Sequence, residues 1–150
     1  MIRDDIKAAQ IAAMKAGDKD TRNAVSLIQA AIKNRDIEAR TGKAPEDDDM
    51  LVVEVLQKMV KQRRESIDMY RKGGREELAA SEETEVAVIE RFLPQQMSEE
   101  ETRSAIEAIK AELGAGGMKD MGRVMAELKA RHASELDMSK ASGLVKVALA

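Results

Sequence analysis

Apolar residues recur along this chain at intervals of three and four, with no period-2 run and no two-residue hairpin turn. That spacing places them on one side of an α-helix, and a chain that keeps it from end to end can only bury them by packing helix on helix. Ile2, Ile6, Ala9 and Ala13 make the first stripe, which Gly17-Asp18 ends. Val25, Ile28, Ile32 and Arg35 carry a second helix to about Arg40, with Asp18 or Asp20 as its cap. Thr41-Gly-Lys-Ala-Pro45 breaks the pattern. Glu46-Asp-Asp-Asp49 then opens a long third helix, its carboxylates complementing the positive end of the helix dipole. Leu51, Val52, Val55, Leu56, Met59 and Val60 give that helix a wide apolar face, continued by Ile67 and Tyr70 and stopped by Gly73-Gly74.

A fourth helix is predicted from about Arg75 to Leu93, with Leu78, Val86, Ile89 and Leu93 inward. Pro94 disfavours helical geometry at Leu93 and marks the boundary between two parts, residues 1–94 and 95–150. Ser98 and Glu101 have capping-box spacing and start the fifth helix, with Ile106, Ile109 and Leu113 on one side. Gly114-Ala-Gly-Gly117 links it to a sixth, carrying Met121, Val124, Met125 and Leu128. Asp137 or Ser139 caps a seventh, whose apolar surface is Leu144, Val145, Val147 and Leu149. Glycine inside a helix costs roughly 1 kcal/mol against alanine, so Gly122 reads either as permitting close approach of another backbone or as facing solvent, and Gly143 as permitting close contact. The fold class is all-α: an N-terminal helical bundle, then a small three-helix domain.

Composition closes several functional classes. Tyr70 and Phe92 are the only aromatics, too few for the stacking platforms that read single-stranded RNA. The formal charge is −3, so any nucleic-acid contact must use a local patch. Cysteine is absent, which removes disulfides, thiol catalysis and thiolate-bound zinc. Asp4 and Asp5 argue against a signal peptide, and no apolar run is long enough to span a bilayer. A cytoplasmic protein is expected.

No catalytic constellation emerges. The single histidine, His132, sits among polar residues and fits a surface position or a partner for a helix C-terminus. No serine occupies a nucleophile elbow, and Ser142-Gly143 is a small pair within a helix. Glu82 and Glu83 read as solvated charge. The acidic run at residues 46–49 lacks the glycine turn of a calcium loop. The residue three before His132 is Lys129, which rules out a Glu-x-x-His metal pair. The glycine run at 114–117 has neither a preceding strand nor a following Gly-Lys-Ser/Thr. The expectation is no catalytic residue, no metal and no cofactor.

Two basic groupings remain. Lys58, Lys61 and Arg64 belong to one on the third helix, where Glu65 and Asp68 offset part of the charge and Arg64 has the spacing to pair with Asp68. The other lies in the tail: Lys119, Arg123, Lys129, Arg131, Lys140 and Lys146 face only Asp120, Glu127, Glu135 and Asp137. On a helical wheel Lys119, Arg123 and Arg131 oppose the Met121/Val124/Met125/Leu128 stripe, which leaves them solvent-facing and free to meet phosphate.

Several segments, in order, resemble a known family: Ile2-Arg-Asp-Asp-Ile6 with the helix it opens, Arg22-x-x-x-Ser26-Leu-Ile-Gln-Ala-Ala-Ile-Lys33, Lys61-Gln-Arg-Arg-Glu-Ser66, Glu90-Arg-Phe-Leu-Pro-Gln-Gln-Met97, Asp120-Met-Gly-Arg-Val-Met125 and Ser142-Gly-Leu-Val-Lys146. The chain is similar over essentially its whole length to the YqeY-like, or GatB/YqeY domain, proteins. The resemblance implies an all-helical protein whose C-terminal part is similar to the tail of GatB, a component of the glutamyl/aspartyl-tRNA amidotransferase. There the tail helps hold the tRNA body while kinase and amidase chemistry sits elsewhere. Related modules are appended to some glutaminyl-tRNA synthetases. The activity attached to the family is carbon–nitrogen ligation with glutamine as amido donor, and this chain lacks the matching catalytic domains. The family often carries a glycine and Asp-Gly before the last helix; here the stretch is His132-Ala-Ser-Glu-Leu-Asp137. Expected is a non-catalytic tRNA-associated module binding tRNA or a tRNA-processing complex through Lys119, Arg123, Arg131, Lys140 and Lys146. The alternative is an adaptor that docks another protein's helix and makes no RNA contact.

Overall fold

A computed structural model describes residues 1–150. It contains seven α-helices and a short 3₁₀ turn, and no strand. They fall into two compact units, Met1–Leu93 and Pro94–Ala150.

The first unit holds α1 (Ile2–Ala16), α2 (Lys19–Ala39), α3 (Asp48–Lys72) and α4 (Glu76–Glu90). Gly17 takes the left-handed conformation, φ 69°, that closes α1, and the Asp18 carboxylate accepts the Thr21 backbone N–H to open α2. The Thr21 hydroxyl donates to the same carboxylate at 2.7 Å, and these bonds hold Asp18 below the usual carboxylate range. Ile6, Val25, Ile28, Val52, Leu56 and Ile89 are fully enclosed and form the centre of the core. A second, smaller cluster of Ile67, Ala79 and Val86 lies between the later part of α3 and α4.

The acidic run before α3 acts beyond the helix dipole. Asp47 caps the helix by accepting the Asp49 N–H. Asp49 accepts the Ile2 backbone N–H at 3.0 Å, one of the N–H groups left without a partner at the start of α1. Asp48 accepts from the Arg3 guanidinium at 2.8 Å, whose other edge donates to both oxygens of Asp36 at 2.6 and 2.9 Å. One side chain thus fastens the start of α1 to the end of α2 and the start of α3. The pairing raises the Arg3 pKa and lowers that of Asp36.

Three features of the α3–α4 pair differ from expectation. Leu78 is 44% exposed, while Ala79 takes the inward place. With α4 beginning at Glu76, Ala79 shares its stripe with Val86, seven residues on, and Leu78 stands a sixth to a third of a turn away. Arg64 pairs with Glu90 of α4 rather than with Asp68, and Arg63 and Arg71 likewise reach Glu85 and Glu83 across the interface. Glu82 is not fully solvated. Its Oε2 is buried without a hydrogen bond, and that burial, reinforced by Glu85 and opposed by Arg63, raises its pKa.

The second unit holds α5 (Glu99–Leu113), a 3₁₀ turn (Met118–Asp120), α6 (Met121–His132) and α7 (Met138–Leu149). Ser98 and Glu101 form the reciprocal capping box, and Gly114, φ 63°, closes α5. Ile106, Ile109, Val124, Leu128 and Val145 are buried at the centre, with Leu136, Ala141 and Leu149 around them. Met121 and Met125 pack at the edge of this core and stay partly exposed. Asp137 caps α7 by accepting the Ser139 N–H. The segment leading into α5 is tied to the α6–α7 connection by the Met97 N–H on the Glu135 carbonyl and the Gln96 amide on the Ser134 carbonyl, both at 2.9 Å.

Two expectations about α7, an inward Val147 and a close contact at Gly143, are corrected, and of the two readings of Gly122 on α6 the exposed one holds. Val147 is 73% exposed, because Val145 and Leu149, four apart, already occupy the inward stripe. Gly122 and Gly143 face solvent, and a Cβ at either would meet nothing within 4 Å. Neither is there to let another part of this chain approach.

Candidate nucleic-acid interface

The five tail cations have different surroundings. Arg123, in the first turn of α6, donates one amino group to the Asp120 carboxylate at 3.1 Å and the other to the Leu113 carbonyl at 3.0 Å. It satisfies a carbonyl at the C-terminus of α5, where four carbonyls lack helical partners. Asp120 is buried, and its second oxygen accepts the Gly116 N–H at 3.1 Å. That backbone bond, helped by Arg123 and Lys119, holds its pKa below the usual range. Asp120 and Arg123 together therefore close the Gly114–Gly117 loop. Arg131 is similarly engaged: it donates to Glu127 one turn back, at 2.7 Å, and to Glu112 of α5. The paired carboxylates raise the Arg131 pKa, and Glu112 is lowered in return. Both arginines face solvent in part, but their guanidinium groups are committed within the unit rather than free.

The lysines differ. Lys119 projects from the 3₁₀ turn, where its charge is felt by Asp120. Lys140 and Lys146 are exposed on α7 and make no ion pair or hydrogen bond. They stand three residues before and three after Gly143, so the bare backbone at Gly143 lies between two ammonium groups. Val147, one turn beyond Gly143, shares this face. The 3₁₀ turn packs against both α6 and α7. The unit contains no aromatic residue, so this face can meet a phosphate backbone and cannot stack a base.

On the first unit, Lys58 and Lys61 are exposed on α3, and the Arg64 charge is met by Glu90. His132 ends α6, with Nδ1 3.5 Å from Glu135 Oε1, shielded from solvent and without a hydrogen bond. The interhelical partners of the arginines are the part that sequence spacing misses. Glu112 and the Leu113 carbonyl lie 19 and 10 residues from Arg131 and Arg123 along the chain, and only the packing of α6 against the end of α5 brings them near.

The family model described as Yqey-like protein matches residues 3–149. The chain belongs to the YqeY-like family. Among curated relatives, this YqeY-like chain is 32% identical over 92 residues to "Altered inheritance of mitochondria protein 41, mitochondrial" of Eremothecium gossypii, covering 61% of this chain and 46% of that protein. It is 33% identical over 92 residues to the protein of the same name in Vanderwaltozyma polyspora, again 61% and 46%. An uncharacterized protein of Schizosaccharomyces pombe is 29% identical over 93 residues, 62% of this chain and 72% of that one. The matched part is about half the length of the two mitochondrial relatives. The names of those two proteins place them in mitochondria, a compartment that the cytoplasmic expectation did not include. No helix of the YqeY-like chain is long and apolar enough to cross a membrane.

Proposed function

We propose that the C-terminal unit is a non-catalytic RNA-docking module that holds the phosphate backbone of tRNA, alone or within a tRNA-processing complex. The observation that carries this reading is the face of α7 on which Lys140 and Lys146 flank the uncovered backbone of Gly143. A helix-interior glycine that costs about 1 kcal/mol and meets nothing in its own chain has no packing role there. Between two ammonium groups it leaves a low surface against which a sugar–phosphate chain fits closely. Lys119 adds a third cation from the 3₁₀ turn. Arg123 and Arg131 hold the frame, their charges met by Asp120, Glu112 and Glu127. Contacts of this kind fix a duplex in place without reading sequence, which matches a unit with no aromatic residue. Ligation of an amide from glutamine, the activity attached to the family, belongs on this reading to a partner protein.

The test is a tRNA titration across a salt series with the wild-type chain and a Lys140→Ala/Lys146→Ala variant. Each phosphate contact contributes a slope of about −0.7 to −0.9 in log affinity against log salt, so the variant loses about 1.4 to 1.8 from that slope. No binding at low salt, or an unchanged slope, refutes the proposal.

A further inference from the structure

A groove of about 270 Å³ runs between α1 and α2, well away in sequence from the tail lysines. Ile6 and Ile32, both buried, form its floor. The Arg3–Asp36 ion pair closes one end, and a hydrogen bond from the Gln29 amide to Gln10, 3.1 Å, spans the helices further along. Lys7 and Lys33 line it from opposite helices, and neither makes an ion pair. The one lining carboxylate, Asp36, shares the Arg3 guanidinium with Asp48, which leaves Lys7 and Lys33 as the two lining cations without a carboxylate partner.

Apolar side chains extend the same face. Ile11 and Met14 follow Lys7 at four and seven residues on α1, and Ile37 follows Lys33 at four on α2, spacings that keep each set on one side of its helix. They are 46, 59 and 48% exposed. Three large aliphatic side chains beside unpaired cations, on two adjacent antiparallel helices, have the form of a groove for a third helix. A phosphate backbone gains nothing from burying isoleucine and methionine, and the face has no aromatic ring on which a base could stack.

We propose that the α1–α2 face is a docking site for an acidic amphipathic helix of a partner protein. Its apolar stripe covers the exposed side chains of Ile11, Met14 and Ile37, and its flanking carboxylates meet Lys7 and Lys33.

The test uses the full chain and a fluorescein-labelled helical peptide with leucines at i, i+4, i+7 and i+11 and glutamates on both flanks. Binding is read by anisotropy and located by amide chemical shifts. Saturable binding with shifts confined to α1 and α2 is expected. The Lys7→Glu/Lys33→Glu variant weakens it by about tenfold, and a lysine-flanked version of the peptide then prefers that variant by a similar factor. Ile11→Gln/Met14→Gln, both exposed and so compatible with folding, also weakens it. Four outcomes overturn the proposal. One is equal binding of the two peptides, and another is shifts outside α1 and α2. A third is self-association that Ile11→Gln/Met14→Gln abolishes, which assigns the face to a second copy of the chain. The last is duplex RNA binding that falls in Lys7→Glu/Lys33→Glu without any peptide binding. None of these moves the salt slope expected of Lys140 and Lys146.

Discussion

Leu128 is enclosed at the centre of α5, α6 and α7, and truncating it to alanine tests whether these helices close on a single core. Leu128→Ala removes three carbon groups from a site with no solvent access. At about 0.8 kcal/mol per group the transfer cost is roughly 2.4 kcal/mol, and an unrelaxed cavity carries the total to about 3–5 kcal/mol. A unit as short as Pro94–Ala150 is stable by only about 3–8 kcal/mol, so the substitution removes much of what holds it. Fluorescence cannot follow this, because Tyr70 and Phe92 both precede Pro94. The assay is amide hydrogen exchange of peptides from α5 and α7, where the slowest amides report opening of the unit. Protection there is expected to fall by about two to three and a half powers of ten. Val147→Ala is the companion: that side chain is 73% exposed, and exchanging a β-branched residue for alanine on an open helix face leaves protection unchanged or slightly raised. Less than a fivefold loss in Leu128→Ala, or an equal loss in Val147→Ala, would refute the packing described.

Other substitutions test particular bonds. Ser98→Ala removes one half of the capping box and is expected to cost about 1 kcal/mol, read as earlier exchange in the first turns of α5. Arg131→Ala breaks the links to Glu112 and Glu127; it lowers the melting temperature of the C-terminal unit and leaves the salt slope of tRNA binding as it was. Glu82→Gln is expected to raise stability at neutral pH. Its folded pKa is raised, so ionised Glu82 weakens the fold progressively as pH climbs past the ordinary carboxylate value, and the gain from glutamine disappears below that value. Chemical denaturation at pH 7 and pH 4 distinguishes these cases. Asp36 titrates in the opposite sense: its depressed pKa supplies stability above the ordinary value that is lost as pH falls through the folded one, and Asp36→Asn removes that part of the acid transition.

What the sequence disclosed was mostly local. Gly17, Asp18, Ser98 with Glu101, and Gly114 each act within one turn of chain, so their chemistry could be read where they stand. The stripes through Ile28, Leu56 and Leu128 were legible because a long repeat fixes one inward direction. Where the stripe was short, one position decided the matter: Ala79 instead of Leu78, and Val145 with Leu149 instead of Val147. That choice depends on how far a helix is rotated against its neighbours, which propensity does not determine. The fate of the charges was hidden for the same reason. Arg64 has Asp68 within reach on its own helix and takes Glu90 on the next, while Asp48 and Asp49 bind the first residues of the chain. The open glycines show the reverse case: a residue that suggests tight packing faces water instead.

The clasp at Arg3 bears on the order in which the first unit assembles during synthesis. Helices α1 and α2 are complete once Ala39 has left the ribosome, and the Asp36 half of the clasp can form then. The other half needs Asp48, and the Ile2 N–H needs Asp49, both supplied only after the following loop has emerged. At roughly 5–20 residues per second that interval is under about two seconds, long against helix formation and hairpin closure. Until the first turn of α3 has emerged, α1 and α2 can share only the Asp36 half of the clasp, and the side they turn to α3 stays uncovered.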